Sequence, residues 1–310
     1  MTAEQTRPMN ATEWALLLAL SAIWGSSFFF FKVLVAEWPP FTVVLGRVGV
    51  AAIILNLFLV LRGSPMRRSQ PWRQFLVMGA LNNVLPFSLI VWGETRISSG
   101  LASILNATTP VFAVIAAHFL TQSEKLTWAR AVGVMFGVLG VVVLIGPGVL
   151  QGVGSADIAG EGACLLAALS YAFAGIYGRR FRGLPSLQVA TGQITCAAVV
   201  MLPVAGVTDR FWTLPAPSAA VWGALACIAV LCTVLAYVLY FRLLATAGAT
   251  NLLLVTFLLP VSALLLGTLA LGEEIKPAAI AGMLLIGIGL IAIDGRIMKK
   301  LWPRALGART

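Results

Sequence analysis

Arg47 lies inside a long apolar run, FTVVLGRVGVAAIILNLFLV (41–60). A guanidinium there offers a planar donor fork suited to a carboxylate. It can equally be a structural group, tied to carbonyls at helix ends or paired with Glu94. Two further polar groups sit in apolar text beside prolines: Asn82 and Asn83 ahead of Pro86, and Asn106, Thr108 and Thr109 ahead of Pro110. Proline removes an intrahelical donor and frees the carbonyl four residues back. Pro110 therefore frees the carbonyl of Asn106 to face a substrate ammonium, and the amides and hydroxyls supply donors and acceptors around it. Interhelical bonding and a passive kink explain the same residues. Thr256 and Pro260 repeat the pattern with less polarity, since Leu258 and Leu259 stand where the first copy has Thr108 and Thr109.

Aromatic residues make a third group. Trp24, Phe173, Tyr177 and Tyr237 occupy apolar segments where they can line a cavity. Each ring contact with an aromatic solute adds about 0.5–1.5 kcal/mol beyond burial. Phe28 to Phe31 run round a whole helix and cannot all face one cavity. Other signals are weaker. His118 is the single histidine, read as a packing residue rather than a titrating one. The four cysteines lie in apolar runs without a CxxC pattern, so they read as small buried hydrophobes. No cluster of histidines and acids suggests a metal, a cofactor or catalysis on lipid, and no cofactor is expected.

The elements that must position these residues are apolar throughout. Sixty per cent of the 310 residues are hydrophobic and 10% charged, with a mean hydropathy of +0.97; a soluble globule carries about 25% charged residues. With about 20 residues needed per crossing, ten segments emerge near 13–35, 40–61, 73–94, 98–121, 127–147, 158–178, 186–207, 218–242, 250–271 and 277–297. The first reads as a retained span, not a cleaved signal. Of the 21 Lys and Arg residues, sixteen fall on the face holding both tails and the even-numbered connections. Only Lys32, Arg96, Arg210 and Lys276 fall on the other, and Arg47 lies within a span. Both termini are therefore expected in the cytoplasm. The net charge of +10 fits an anionic lipid leaflet, not nucleic acid, because the charges lie between spans.

The segments repeat. Pro110 precedes Glu124 by the same offset as Pro260 precedes Glu274, and SSGLASILNATTPVFAVIAAHFLTQSE (98–124) lies over GATNLLLVTFLLPVSALLLGTLALGEE (248–274). Half-length repetition predicts a tail (1–12), a five-helix repeat (13–147), a connecting loop (148–157), a second repeat (158–297) and a basic tail (298–310). An odd number of crossings per repeat inverts the second copy and places a site at the interface of the halves.

WGSSFFFFK (24–32), WPPFTVVLGR (38–47), SSGLASILNATTPVF (98–112), Glu124 and the glycines Gly133, Gly137 and Gly140 stand in a recognisable order. Together they resemble the EamA-type branch of the drug/metabolite transporter superfamily, from about Trp14 to Arg296. Within it the chain looks like the YddG-type exporters of aromatic amino acids. The resemblance implies an all-α integral membrane protein of ten transmembrane helices, two inverted five-helix repeats around a central cavity, working by alternating access. The glycines of spans five and ten, Gly133, Gly137, Gly282, Gly287 and Gly289, read as a close helix seam.

The expected function is export of small metabolites, amino acids first and aromatic ones among them, by a monomer in the bacterial inner membrane, with lipid and a small solute as its partners. A drug or quaternary-ammonium pump is the alternative. It is disfavoured because the first span has no acid of the kind that proton-for-cation exchange uses. A non-transporting accessory subunit is the reading from another class.

Overall fold

The computed structural model describes residues 9–121, 126–150, 155–181, 183–252 and 254–294. Glu124 and both tails beyond these limits lie outside the described residues. Those residues form ten helical rods: α1 (Ala11–Val35), α2 (Pro40–Leu61), α3 (Trp72–Glu94), α4 (Ser99–Leu120), α5 (Trp128–Leu150), α6 (Ser155–Tyr177), α7 (Ser186–Thr208), α8 (Ala219–Ala247, its helix running on to Leu252), α9 (Val255–Leu271) and α10 (Pro277–Asp294). No strand occurs among them. Eight rods are long and apolar enough to cross a membrane, and the apolar parts of the last two, Leu258–Leu271 and Pro277–Ile293, are shorter.

Local chemistry sets the ends. Asn10 and Glu13 form a capping box, each side chain taking the other's backbone N–H at 2.9 Å. Pro40 and Pro277 open α2 and α10, where a missing N–H loses nothing. Gly272 closes α9 at φ +67°, a conformation that suits glycine. Two boundaries differ from expectation. The eighth helix passes Arg242 and continues to Leu252, because the exposed Arg242 side chain can carry its charge outward without breaking the rod. The fifth passes Pro147 to Leu150, since proline near a helix end deletes little of the hydrogen-bond ladder.

The outer surface is apolar. Phe119, Val207 and Leu269 are 78%, 79% and 83% exposed, as expected for side chains facing lipid. The rods are interleaved rather than sorted into two bundles. The most extensive packing joins helices of different halves: α5 on α10, α1 on α9, α2 on α7, and both α3 and α4 on α6. Glycine makes the closest seam. A methyl group on Gly289 would fall 2.6 Å from the Gly133 carbonyl oxygen, and one on Gly282 would fall 2.9 Å from that of Gly140. Gly287, expected in the same seam, has nothing within 4 Å.

One end of the bundle is held by acids that cap helix N-termini across the halves. Glu37 accepts from the N–H and hydroxyl of Ser218 at the start of α8. Reciprocally, Asp209 accepts from the N–H and hydroxyl of Thr42 at 2.7 and 2.9 Å in α2. Glu273 takes Ser99 N–H, Ser99 Oγ and Gly100 N–H at 2.8–3.2 Å in α4. Charge-assisted bonds at a positive helix end are among the stronger polar contacts.

Candidate functional site

Two rods break their α-helical ladder at matched places. Ala80–Val84 of α3 and Cys227–Leu235 of α8 are π-helical, about half the chain apart. A π-turn adds a residue to the turn and re-aims the side chains around it. In α3 it lies just ahead of Pro86 and carries Asn82 and Asn83. In α8 it carries Thr233, whose hydroxyl donates to the Ile228 carbonyl five residues back at 2.9 Å.

Arg47 reaches the α8 turn from α2. It is 5% exposed. Its Nε donates to Thr233 Oγ1 at 3.1 Å and one Nη reaches the Cys232 carbonyl at 3.5 Å. Its Cζ lies 3.9 Å from the ring centre of Phe87 and 5.0 Å from that of Phe31, so the charge rests on two aromatic rings. The Tyr171 and Tyr237 hydroxyls interact with it electrostatically. The expected alternative of pairing with Glu94 is not what the structure shows: no donor reaches the carboxyl oxygens of Glu94. Among the described residues no carboxylate pairs with Arg47 either, and part of its donor fork is left without a protein acceptor.

Beside it lies an amide network. Asn82 and Asn83 donate to one oxygen, Gln193 Oε1, at 3.1 and 3.4 Å. Gln193 Nε2 donates to Tyr237 at 3.3 Å. Asn83 is fully buried, yet its Oδ1 has no partner. Buried polar atoms are seldom left so; here the orphan sits within a polar cluster drawn from both halves.

The other expected residues are placed differently. Trp24 packs on Tyr240 at 5.6 Å, among the apolar residues of α1, α8 and α9. Its neighbour Ser26 reaches Cys232 Sγ at 3.6 Å, which links that part of α1 to the π-turn. Asn106 ends the first segment of α4, and its Oδ1 is buried without a partner. Its main-chain carbonyl, freed by Pro110, accepts from Thr109 Oγ1 at 2.7 Å, so Thr109 takes up the bond expected for a substrate. Thr256 is half-buried in the first turn of α9, and Pro260 lies inside that helix. Phe173 is 38% exposed on α6, and Tyr177 meets Phe181 edge-on and lies under the Arg180 guanidinium in a separate cluster around Phe75. His118 accepts from the Leu126 N–H at 3.1 Å, in keeping with a packing histidine.

Gln193 and Thr233 were not singled out from sequence. A glutamine in the middle of an apolar span was a visible signal, but Thr233 matters only because a π-turn points it at Arg47. A crevice of about 520 Å³ on α3, α4 and α6 has no charged or hydroxyl-bearing lining. The polar cluster is the better candidate, because specificity needs convergent polar groups.

The profile of the EamA-like transporter family matches residues 12–146 and again 158–293. The chain belongs to that family. The two matches cover the helices on either side of the α5–α6 connection, in keeping with a two-repeat membrane fold. The chain is 31% identical over 265 residues to an uncharacterized inner membrane transporter, YedA, of Escherichia coli (strain K12), covering 84% of this chain and 83% of that one. It is 25% identical over 276 residues to the uncharacterized transporter YoaV of Bacillus subtilis, 88% and 94% covered. It is 28% identical over 308 residues to a probable terminal-alkyne amino-acid exporter of Streptantibioticus cattleyicolor, 94% and 95% covered. A crystal structure covering 94% of this chain and 100% of its own superposes with a TM-score of 0.66 at 17% identity, a likeness of fold alone. The chain is a multi-pass inner-membrane protein with the fold of a transporter.

Proposed function

We propose that the chain exports small metabolites bearing a carboxylate, amino acids foremost and aromatic ones among them, by alternating access. The observation that carries this reading is Arg47: a buried cation at the junction of both halves, resting on Phe87 and Phe31, with no carboxylate paired to it among the described residues. A cation shut in an apolar interior without a counter-ion is costly. A substrate carboxylate supplies the missing charge, and the orphan amide oxygen of Asn83 accepts from the substrate's ammonium. The amino-acid exporter named among the relatives supports the same class.

In this reading ten spans cross the membrane as inverted repeats with both termini in the cytoplasm. Residues 13–147 and 158–297 are the repeats, 148–157 joins them, and 1–12 and 298–310 are tails. Arg47, Asn82, Asn83 and Tyr237 hold the substrate, with Gln193 and Thr233 added to them. Trp24, Asn106, Thr109 and Thr256 meet it as the halves rock, and Pro86, Pro110 and Pro260 are the places where helices bend. Phe173 and Tyr177 serve the edges of the path. The protein works as a monomer in lipid, without nucleic acid, and as a carrier, not an enzyme.

Counterflow into proteoliposomes tests the reading, with a panel of amino acids set against quaternary ammonium compounds. Exchange of amino acids is expected. Uptake of quaternary ammonium compounds alone would overturn it, since Arg47 repels a cation.

A further inference from the structure

Glu94 ends α3 at the capped end of the bundle. It is fully buried, and both of its carboxyl oxygens lack a hydrogen-bond partner. Glu273, the acid that acts on it, is spent on the N-terminus of α4. Lys32 of α1 is the nearby cation, but its ammonium donates to the main-chain carbonyls of Glu94 and Ile97 at 2.6 and 2.8 Å. Further titratable neighbours lie on α6, where Cys164 interacts electrostatically with both Glu94 and Glu161. Lys32, Glu273 and Cys164 act on Glu94 itself; Arg96 lies two residues on, against Gly160 of α6, and Lys276 acts on Glu161.

What covers Glu94 is a seam between the halves. A methyl group on the adjacent Gly93 would lie 2.9 Å from both Cys164 Sγ and the Gly160 carbonyl oxygen on α6. The carboxyl is out of contact with solvent while α3 and α6 stay this close. An ionised carboxylate enclosed without a donor is disfavoured far more than the neutral acid. The enclosed form therefore suits a group that carries its own proton.

We infer that Glu94 is the proton site of the transport cycle, loaded when the seam between α3 and α6 is shut and emptied when it opens. The inference rests on the transporter reading above. In the emptying step the O–H bond of the carboxyl breaks and the proton leaves to water at the opened end. The ammonium of Lys32, already bound to the carbonyl of the same residue, turns to the carboxylate left behind. Closing the seam reverses each movement.

Two measurements test this. Infrared spectra of the purified full-length protein at neutral pH should show the C=O stretch of a neutral carboxylic acid. Glu94→Gln should take the main component out of that band, Glu94→Asp should shift it, and Glu161→Gln should leave that component in place. A band absent from the wild type, or undiminished in Glu94→Gln, overturns the assignment, and neither result requires a transported substrate. Proteoliposomes loaded with phenylalanine and an entrapped pH dye give the second measurement. Wild-type efflux should move protons, whereas the exchange remaining in Glu94→Gln and Lys32→Met should move none. Proton movement at the wild-type ratio in Glu94→Gln refutes the coupling. Failure of the wild type to exchange any amino acid refutes the substrate reading instead and leaves the infrared result to decide on Glu94.

Discussion

Arg47 Nε in the first half donates to Thr233 Oγ1 in the second at 3.1 Å, and the same hydroxyl donates to Ile228 five residues back at 2.9 Å. The guanidinium is thus held by a side chain that only a π-turn presents. Part of the donor fork stays available, which is the property a carboxylate receptor needs.

Arg47→Lys keeps the charge but loses the planar fork. Bonds to a charged group are worth about 1.5–3 kcal/mol, and each 1.4 kcal/mol or so is about tenfold in affinity. Counterflow of amino acids should weaken by roughly tenfold to a hundredfold, and that of decarboxylated analogues much less. An equal loss for both would assign Arg47 a structural role.

Gln193→Leu strips Asn82, Asn83 and Tyr237 of their shared partner. Each buried group left unpaired costs about 1–3 kcal/mol. The purified protein should melt at a lower temperature and exchange substrate more slowly. Trp24→Ala and Asn106→Ala should reduce efflux at unchanged membrane levels. Normal efflux in both would remove these two residues from the substrate path.

The α5–α10 seam separates two glycines of the same helix. Gly289→Val drives side-chain atoms into the Gly133 carbonyl and Gly137 N, which a first methyl would already approach at 2.6 and 2.8 Å. Overpacking of this kind costs about 1–3 kcal/mol. Gly287→Ala meets nothing within 4 Å and should be neutral or stabilise by up to about 1 kcal/mol. Melting curves in detergent compare the two directly.

Glu37 lies in the turn between α1 and α2. Bonds from the Ser218 hydroxyl and N–H hold its carboxyl below the ordinary carboxylate value, against a small opposing effect of burial. A carboxyl depressed in the folded state contributes stability above its unfolded value and loses it as pH falls through its folded one. Wild-type melting temperature should therefore drop more steeply than that of Glu37→Gln as pH is lowered through the acid range. Parallel curves would show that the Ser218 contact does not stabilise the fold.

Much of the fold was legible in order and spacing. The apolar runs marked the rods to within a few residues, apart from the end of the eighth, and the repeated proline offset marked the family's two-fold repetition. The glycines forecast the α5–α10 seam, apart from Gly287. The site was legible only in part. Arg47, Asn82 and Asn83 were read from polarity in apolar surroundings and Tyr237 as an aromatic, and the structure gathers them. Phe173 and Tyr177 carried the same aromatic signal, yet Phe173 stays partly exposed on α6 and Tyr177 lies in a separate aromatic cluster.

The sequence by itself determined that the chain is a bundle of apolar helices, because composition decides the solvent and period decides the element. It also determined that each buried polar residue must find a partner or a ligand, because an apolar interior offers no water. Which partner each one finds was decided only by the tertiary structure. Facing direction depends on helix rotation, on two π-turns that no local pattern announced, and on the interleaving of the halves. That is why Arg47 meets Thr233 instead of Glu94, and why the Glu94 carboxyl finds no donor among the described residues.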